Sequence, residues 1–87
     1  LIYQLTAVRD RAANVYMRPF TVTHLGQAIR AFQDQINNDA PDNITMYQHP
    51  DDYDLYHIGT YDDETGKVQP CDPHQVAIGK QLAKRKG

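Results

Sequence analysis

Leu25, Ala28, Ile29, Phe32 and Ile36 fall at i, i+3, i+4, i+7 and i+11, one apolar stripe on a helix of about residues 24–37. A single amphipathic helix cannot bury such a stripe alone, so it demands a second layer. Thr23 is the expected N-cap, and Asn37-Asn38-Asp39 with Pro41 ends the helix. Gly26, in the first turn, is expected to let the helix approach the second layer closely. The opposite face, with Gln27, Arg30, Gln33, Asp34 and Gln35, reads as solvated surface.

The second layer must come from the β-rich runs. Residues 2–8 (IYQLTAV) and 15–22 (VYMRPFTV) flank the turn-like RDRAAN and predict a hairpin. Pro19 lacks an N–H, so it belongs at an edge or a bend. Residues 54–61 (DLYHIGTY) form the strongest strand candidate; DDETG follows as a turn with Gly66 at its φ > 0 position. Lys67-Val68-Gln69 then begins a short partner strand. Beyond Pro70 and Pro73, residues 75–82 (QVAIGKQL) read as a final strand at the sheet edge or as a helical turn. Residues 38–52 read as a polar loop punctuated by Pro41 and Pro50. The expected fold class is α+β, a small antiparallel sheet of four to five strands packed on one helix. It is expected to form one domain over residues 1–82, with a basic flexible tail at 83–87.

Eighty-seven residues bury only about 60–65% of the surface exposed when unfolded, a size at which self-association often adds stability. Cys71 is the only cysteine, which excludes a disulfide within the chain and fits a reducing cytoplasm. No apolar run approaches the roughly 20 residues of a membrane span, and no signal-peptide pattern is present. The expectation is a soluble, intracellular protein without a membrane partner.

The net charge of −2 gives no global attraction to nucleic acid, but the charges are segregated. Asp51, Asp52, Asp54, Asp62, Asp63 and Glu64 share a segment with no basic residue, whereas Lys80, Lys84, Arg85 and Lys86 close the chain. Arg9, Arg11, Arg18 and Arg30 supply positive charge in the first half. Such a chain can associate head to tail or present a basic face to phosphates.

Catalytic signatures are missing. There is no Gly-rich phosphate loop, nucleophile elbow or paired-cysteine metal motif. His24, His49, His57 and His74 do not fall at zinc-site spacings, and Cys71 with His74 lacks a third, orienting group. The reading is a non-enzyme that needs no cofactor and no metal.

Single-strand binders combine phosphate contacts with aromatic platforms. Tyr16, Arg18 and Phe20 alternate on one predicted strand, with Tyr3 a potential neighbour and Arg9 and Arg11 in the adjoining turn. The competing reading places Phe20, Tyr3 and Tyr16 in the core and leaves Arg18 exposed. Arg9, Arg11, Tyr16, Arg18, Lys80, Lys84, Arg85 and Lys86 are therefore the candidate nucleic-acid-binding residues. In the 54–61 strand, Tyr56 and Ile58 point one way and Leu55 and His57 the other. Both faces are partly apolar, as in a central strand or one that meets another subunit.

The runs YMRPF (16–20), GQAIRAFQDQIN (26–37), HPDDYDLYHIGTYDDETG (49–66) and PCDP (70–73), in this order, resemble the small nonstructural protein of gokushovirus-type microviruses, single-stranded DNA phages. The resemblance covers nearly the whole chain, and HPDDYDLYHIG is its most specific part. It implies a nonstructural phage protein of the bacterial host's cytoplasm. Such a protein would bind single-stranded DNA and assist genome replication and the switch to single-strand synthesis and packaging; the two-sided apolar strand adds the expectation of a homodimer or higher oligomer. It implies no catalytic residue. The alternative is an oligomeric adaptor that holds a replication or host protein without touching nucleic acid.

Overall fold

β1 (Ile2–Asp10) is the spine of an antiparallel sheet, and a computed structural model describes its surroundings over residues 1–84. On one side β1 pairs along its whole length with β4 (Tyr53–Asp62), from Ile2 opposite Asp62 to Asp10 opposite Tyr53. On its other side it takes two short strands, β2 (Val15–Tyr16) and β3 (Phe20–Val22). β5 (Lys67–Ile78) pairs with β4 and forms the far edge, giving the order β2-β1-β4-β5 with β3 also on β1. The α+β class and the strand count follow the expectation from sequence.

The first hairpin forms, but its second run is interrupted. Pro19 has no N–H to donate, and residues 17–19 leave the ladder between β2 and β3. The Met17 N–H still reaches the Val8 carbonyl at 2.7 Å. In the connecting turn Asn14 adopts the left-handed conformation, φ 58°, which asparagine tolerates better than most residues.

Residues 67–78 are one continuous strand rather than a short partner followed by a separate segment. Its prolines lie on the outer edge, where a missing N–H breaks no ladder. Between the pairs His57–His74 and Gly59–Pro70 the register shifts, and residues 71–73 bulge opposite Ile58. After Ile78 the chain turns into α3 (Gly79–Leu82), so residues 75–82 are strand and then a single helical turn. A Cβ on Gly79 would collide with the carbonyl oxygens of Pro50 and Tyr53 and crowd the Ile36 side chain. That close approach locks α3 onto the start of β4.

α1 (Leu25–Ile36) matches the predicted span to within a residue at each end, and Ala28, Phe32 and Ile36 are its buried positions. Its N-cap is His24, not Thr23. The Thr23 hydroxyl instead donates to Gln27 Oε1 at 2.8 Å, and that oxygen also accepts the Thr23 and His24 N–H groups at 3.0 and 3.3 Å. Gly26 does not serve close packing either, because a Cβ there would meet nothing within 4 Å.

The expected polar loop at 38–52 is a helical passage: a 3-10 turn (Pro41–Asn43), α2 (Ile44–Gln48) and a second 3-10 turn (Pro50–Asp52). Asn43 Nδ2 donates to the carbonyls of Gln35 and Asn38 at 2.6 and 2.8 Å, satisfying acceptors that the end of α1 leaves open. Met46 from α2 then enters the core. That core comprises Val8, Tyr53 and Leu55 from the sheet, Ala28, Phe32 and Ile36 from α1, and Met46, with Phe20, Val22, Ile29 and Leu82 packed at its margin. The segment anticipated as a flexible tail from residue 83 begins tied down. Ala83 packs against the core and the Lys84 N–H donates to Asn37 Oδ1 at 2.8 Å. The rest of that segment lies outside the described residues. Among the described residues, no helix is long and apolar enough to cross a membrane.

Candidate nucleic-acid interface

Opposed residues of an antiparallel ladder project to the same face. Val8 and Leu55 are opposed and lie in the core beneath α1. Alternation therefore sends Tyr3, Leu5, Ala7 and Arg9 of β1 to the face that α1 does not cover. Their partners Tyr61, Gly59, Tyr56 and Asp54 join them, and so does Tyr16, which is opposite Arg9 on β2.

Arg9 and Tyr16, two of the candidates from sequence, meet on this face. The Arg9 guanidinium lies 5.6 Å from the centre of the Tyr16 ring, within cation–π range. Arg9 Nη2 also donates to Asn14 Oδ1 at 2.5 Å. Tyr56 completes the group, with its ring edge-on to Tyr16 at a centroid distance of 5.6 Å. The left-handed Asn14 thus has a second use, since it folds the turn back so that its amide holds the arginine.

Arg11 stands nearby but is committed. Its Nε lies 3.2 Å from Asp54 Oδ2, and its Nη2 donates to the Asp51 carbonyl. Asp54 is buried at 3% exposure, so the pair holds the carboxylate inside the sheet and leaves little charge for a ligand.

Arg18 is not on this face, so Tyr16, Arg18 and Phe20 do not share a side as strict alternation would require. The break at 17–19 resets the pattern. Phe20 opposes Thr6 and packs against the core, whereas Arg18 lines a groove of about 280 Å³ beside α1, over Val8, Phe32 and Met46. Core packing therefore claims Phe20, while Tyr16 stays 41% exposed.

Lys80 and Lys84 lie at the same end of the sheet as Arg9, because Asp54 is opposite both Arg9 and Ile78, the residue before α3. The bond from the Lys84 N–H to Asn37 places that residue on the α1 side. Arg85 and Lys86 lie outside the described residues. Basic groups at this end alternate with Asp10, Asp51, Asp52 and Asp54, so the charge there is mixed.

Tyr61 and Asp54 were not candidates from sequence. Tyr61 pairs with Tyr3, their rings stacked at 6.3 Å. Ile58 has no partner on β1, between the pairs Leu5–Gly59 and Thr6–His57, and that shift hides the Tyr3–Tyr61 pairing from a simple period-two reading. Three candidate metal ligands do not gather anywhere among the described residues.

No curated protein and no solved structure matches the chain. A family model described as the phage ORF5 protein matches residues 3–82, which takes in all three helices and the sheet except Ile2. The chain belongs to the phage ORF5 protein family.

Proposed function

We propose that this phage protein is a non-catalytic, single-stranded DNA-binding accessory factor of a gokushovirus-type microvirus. It acts in the host cytoplasm during genome replication and the switch to single-strand synthesis and packaging. The observation that carries the reading is the Arg9–Tyr16–Tyr56 cluster on the face opposite α1. A base stacked on an exposed aromatic ring contributes about 1–3 kcal/mol, and an adjacent guanidinium supplies the phosphate contact. Among the described residues Arg9 forms no ion pair with a carboxylate, so its charge is available to a ligand. Self-association is part of the proposal. Ile2 and Val68, 48% and 55% exposed at the far end of the sheet, give it an apolar surface.

Fluorescence anisotropy with a labelled oligothymidylate at low and moderate salt tests the reading. Binding should weaken as salt rises, and Arg9→Ala should lower the logarithmic salt slope by about 0.7, the value for one single-strand phosphate contact. Absence of binding at low salt would overturn it.

The groove over Val8, Phe32 and Met46 favours a second reading, an adaptor that seats an apolar side chain of a protein partner beside Arg18. Recovery of a phage or host protein by the wild-type chain, lost in Met46→Lys but kept in Arg9→Ala, would support it over DNA binding.

A further inference from the structure

The sheet face opposite α1 carries two aromatic pairs, one at each end of β1. Tyr16 and Tyr56 stand edge to face beside Arg9. Tyr3 and Tyr61 are stacked with only 29° between their planes. In register, Tyr61 is opposite Tyr3, Tyr56 is opposite Ala7, and Tyr16 is opposite Arg9. At roughly 3.4 Å per strand residue, the pairs lie about 14–20 Å apart along β1.

Between them the face is low and uncharged. On β1 and β4 it is Leu5, Ala7 and Gly59, with Ala7 fully buried, flanked by Thr21 opposite Leu5 and Pro70 opposite Gly59. A side chain at Gly59 is precluded, because its Cβ would fall 2.5 Å from the Gln69 carbonyl oxygen. Two raised aromatic stations with a smooth floor between them form a track. The two ends differ in charge: Arg9 stands beside Tyr16, whereas Asp62, Asp63 and Glu64 follow Tyr61 and engage the cations there, Lys67 opposite Asp62 and the Leu1 ammonium 2.8 Å from Asp63.

We infer that the two tyrosine pairs are separate stacking platforms for one DNA strand laid along β1, with the Arg9 end holding a phosphate and the Tyr3–Tyr61 end holding a base without one. The inference rests on the DNA-binding reading and adds a footprint to it. A stacked strand advances about 3.4 Å per nucleotide, so 14–20 Å corresponds to about four to six stacked nucleotides, and fewer if the strand is stretched. The acids beyond Tyr61 outnumber the cations beside them, so the net charge there disfavours the backbone and terminates the track.

The test is a length series of oligothymidylates, from about three to about twelve nucleotides, titrated into the wild type and into Tyr3→Ala. Tyrosine ring NMR shifts read the weak complexes and anisotropy the tighter ones. Wild-type affinity should climb steeply to about six nucleotides and then flatten. Tyr3→Ala should bind the longer strands on the order of ten-fold more weakly and lose the steep climb, while the shortest strand shifts Tyr16 as in the wild type. Tyr3→Phe, which keeps the ring, should behave as the wild type and shows that the fold tolerates change at this position. Equal losses at every length, or no loss at any length, would overturn the two-platform track while leaving DNA binding in place. No binding by the wild type at any length would overturn both.

Discussion

Arg9 and Asp54 are direct cross-strand partners, yet the Asp54 carboxylate takes its ion pair from Arg11 and leaves the Arg9 guanidinium over the Tyr16 ring. Among the described residues neither Arg9 Nε nor Asp54 Oδ1 has a hydrogen-bond partner, so the two residues sit side by side without closing on each other. The consequence is a division of labour between two arginines two residues apart. Arg11 neutralises a buried carboxylate, and Arg9, held by an asparagine amide and an aromatic ring, keeps its charge.

Arg11→Ala should therefore destabilise the fold more than Arg9→Ala does. Removing Arg11 strands a carboxylate that is 3% exposed. A fully buried broken pair costs about 3–5 kcal/mol, and the half-exposed Arg11 side chain reduces that to about 1–3 kcal/mol. Arg9→Ala should cost under about 1 kcal/mol. Urea midpoints compare the two. In an Asp54→Asn background the Arg11→Ala cost should shrink, and an undiminished cost would show that the pair is not its source.

Two glycines should respond to alanine with opposite signs. Gly79→Ala forces a methyl into the Pro50 and Tyr53 carbonyls and should cost about 1–3 kcal/mol or more. Gly26 lies in α1 with open space around it. Gly26→Ala should stabilise by about 0.5–1 kcal/mol through helix propensity. Thermal melts followed by circular dichroism distinguish the cases.

Gln27→Ala should lower stability by about 0.5–2 kcal/mol, although the side chain is exposed. Its Oε1 gathers the hydroxyl of Thr23 and the N–H groups of Thr23 and His24, closing the start of α1. Thr23→Val should reproduce only part of that loss, because it removes one of the three donors. Denaturant midpoints check the ranking, and equal losses would place the closure in the Thr23 hydroxyl alone.

What was legible from sequence divides along physical lines. The α1 stripe and the first hairpin were readable because period and turn chemistry agree over many residues. α2 was not, because Met46 is one buried side chain amid polar neighbours and carries no period of its own. The full length of β5 is hidden because prolines normally end strands, and only an edge position with a bulge excuses Pro70 and Pro73. Of the candidate site, Arg9 and Tyr16 could be picked out but not their meeting, which depends on the register of β1 with β2. Arg18 was grouped with them because alternation assumes an unbroken strand, and Pro19 breaks it.

Tyr53 links the core to alkaline pH. It is 6% exposed, and its phenol is raised above the usual 10, first by burial and then by the nearby carboxylates of Asp10 and Asp52. The folded chain therefore holds this proton to higher pH than the unfolded chain does. The stabilisation is complete below about pH 10 and is lost as pH rises through the folded value, since ionised Tyr53 must sit among apolar side chains and two acids. Urea midpoints should fall above about pH 10, and tyrosinate absorbance should show a late component. Tyr53→Phe keeps the ring in the core and removes the proton, so both the late component and its share of the alkaline loss should vanish. A tyrosinate titration unchanged by that substitution would place the high-pH event on another residue.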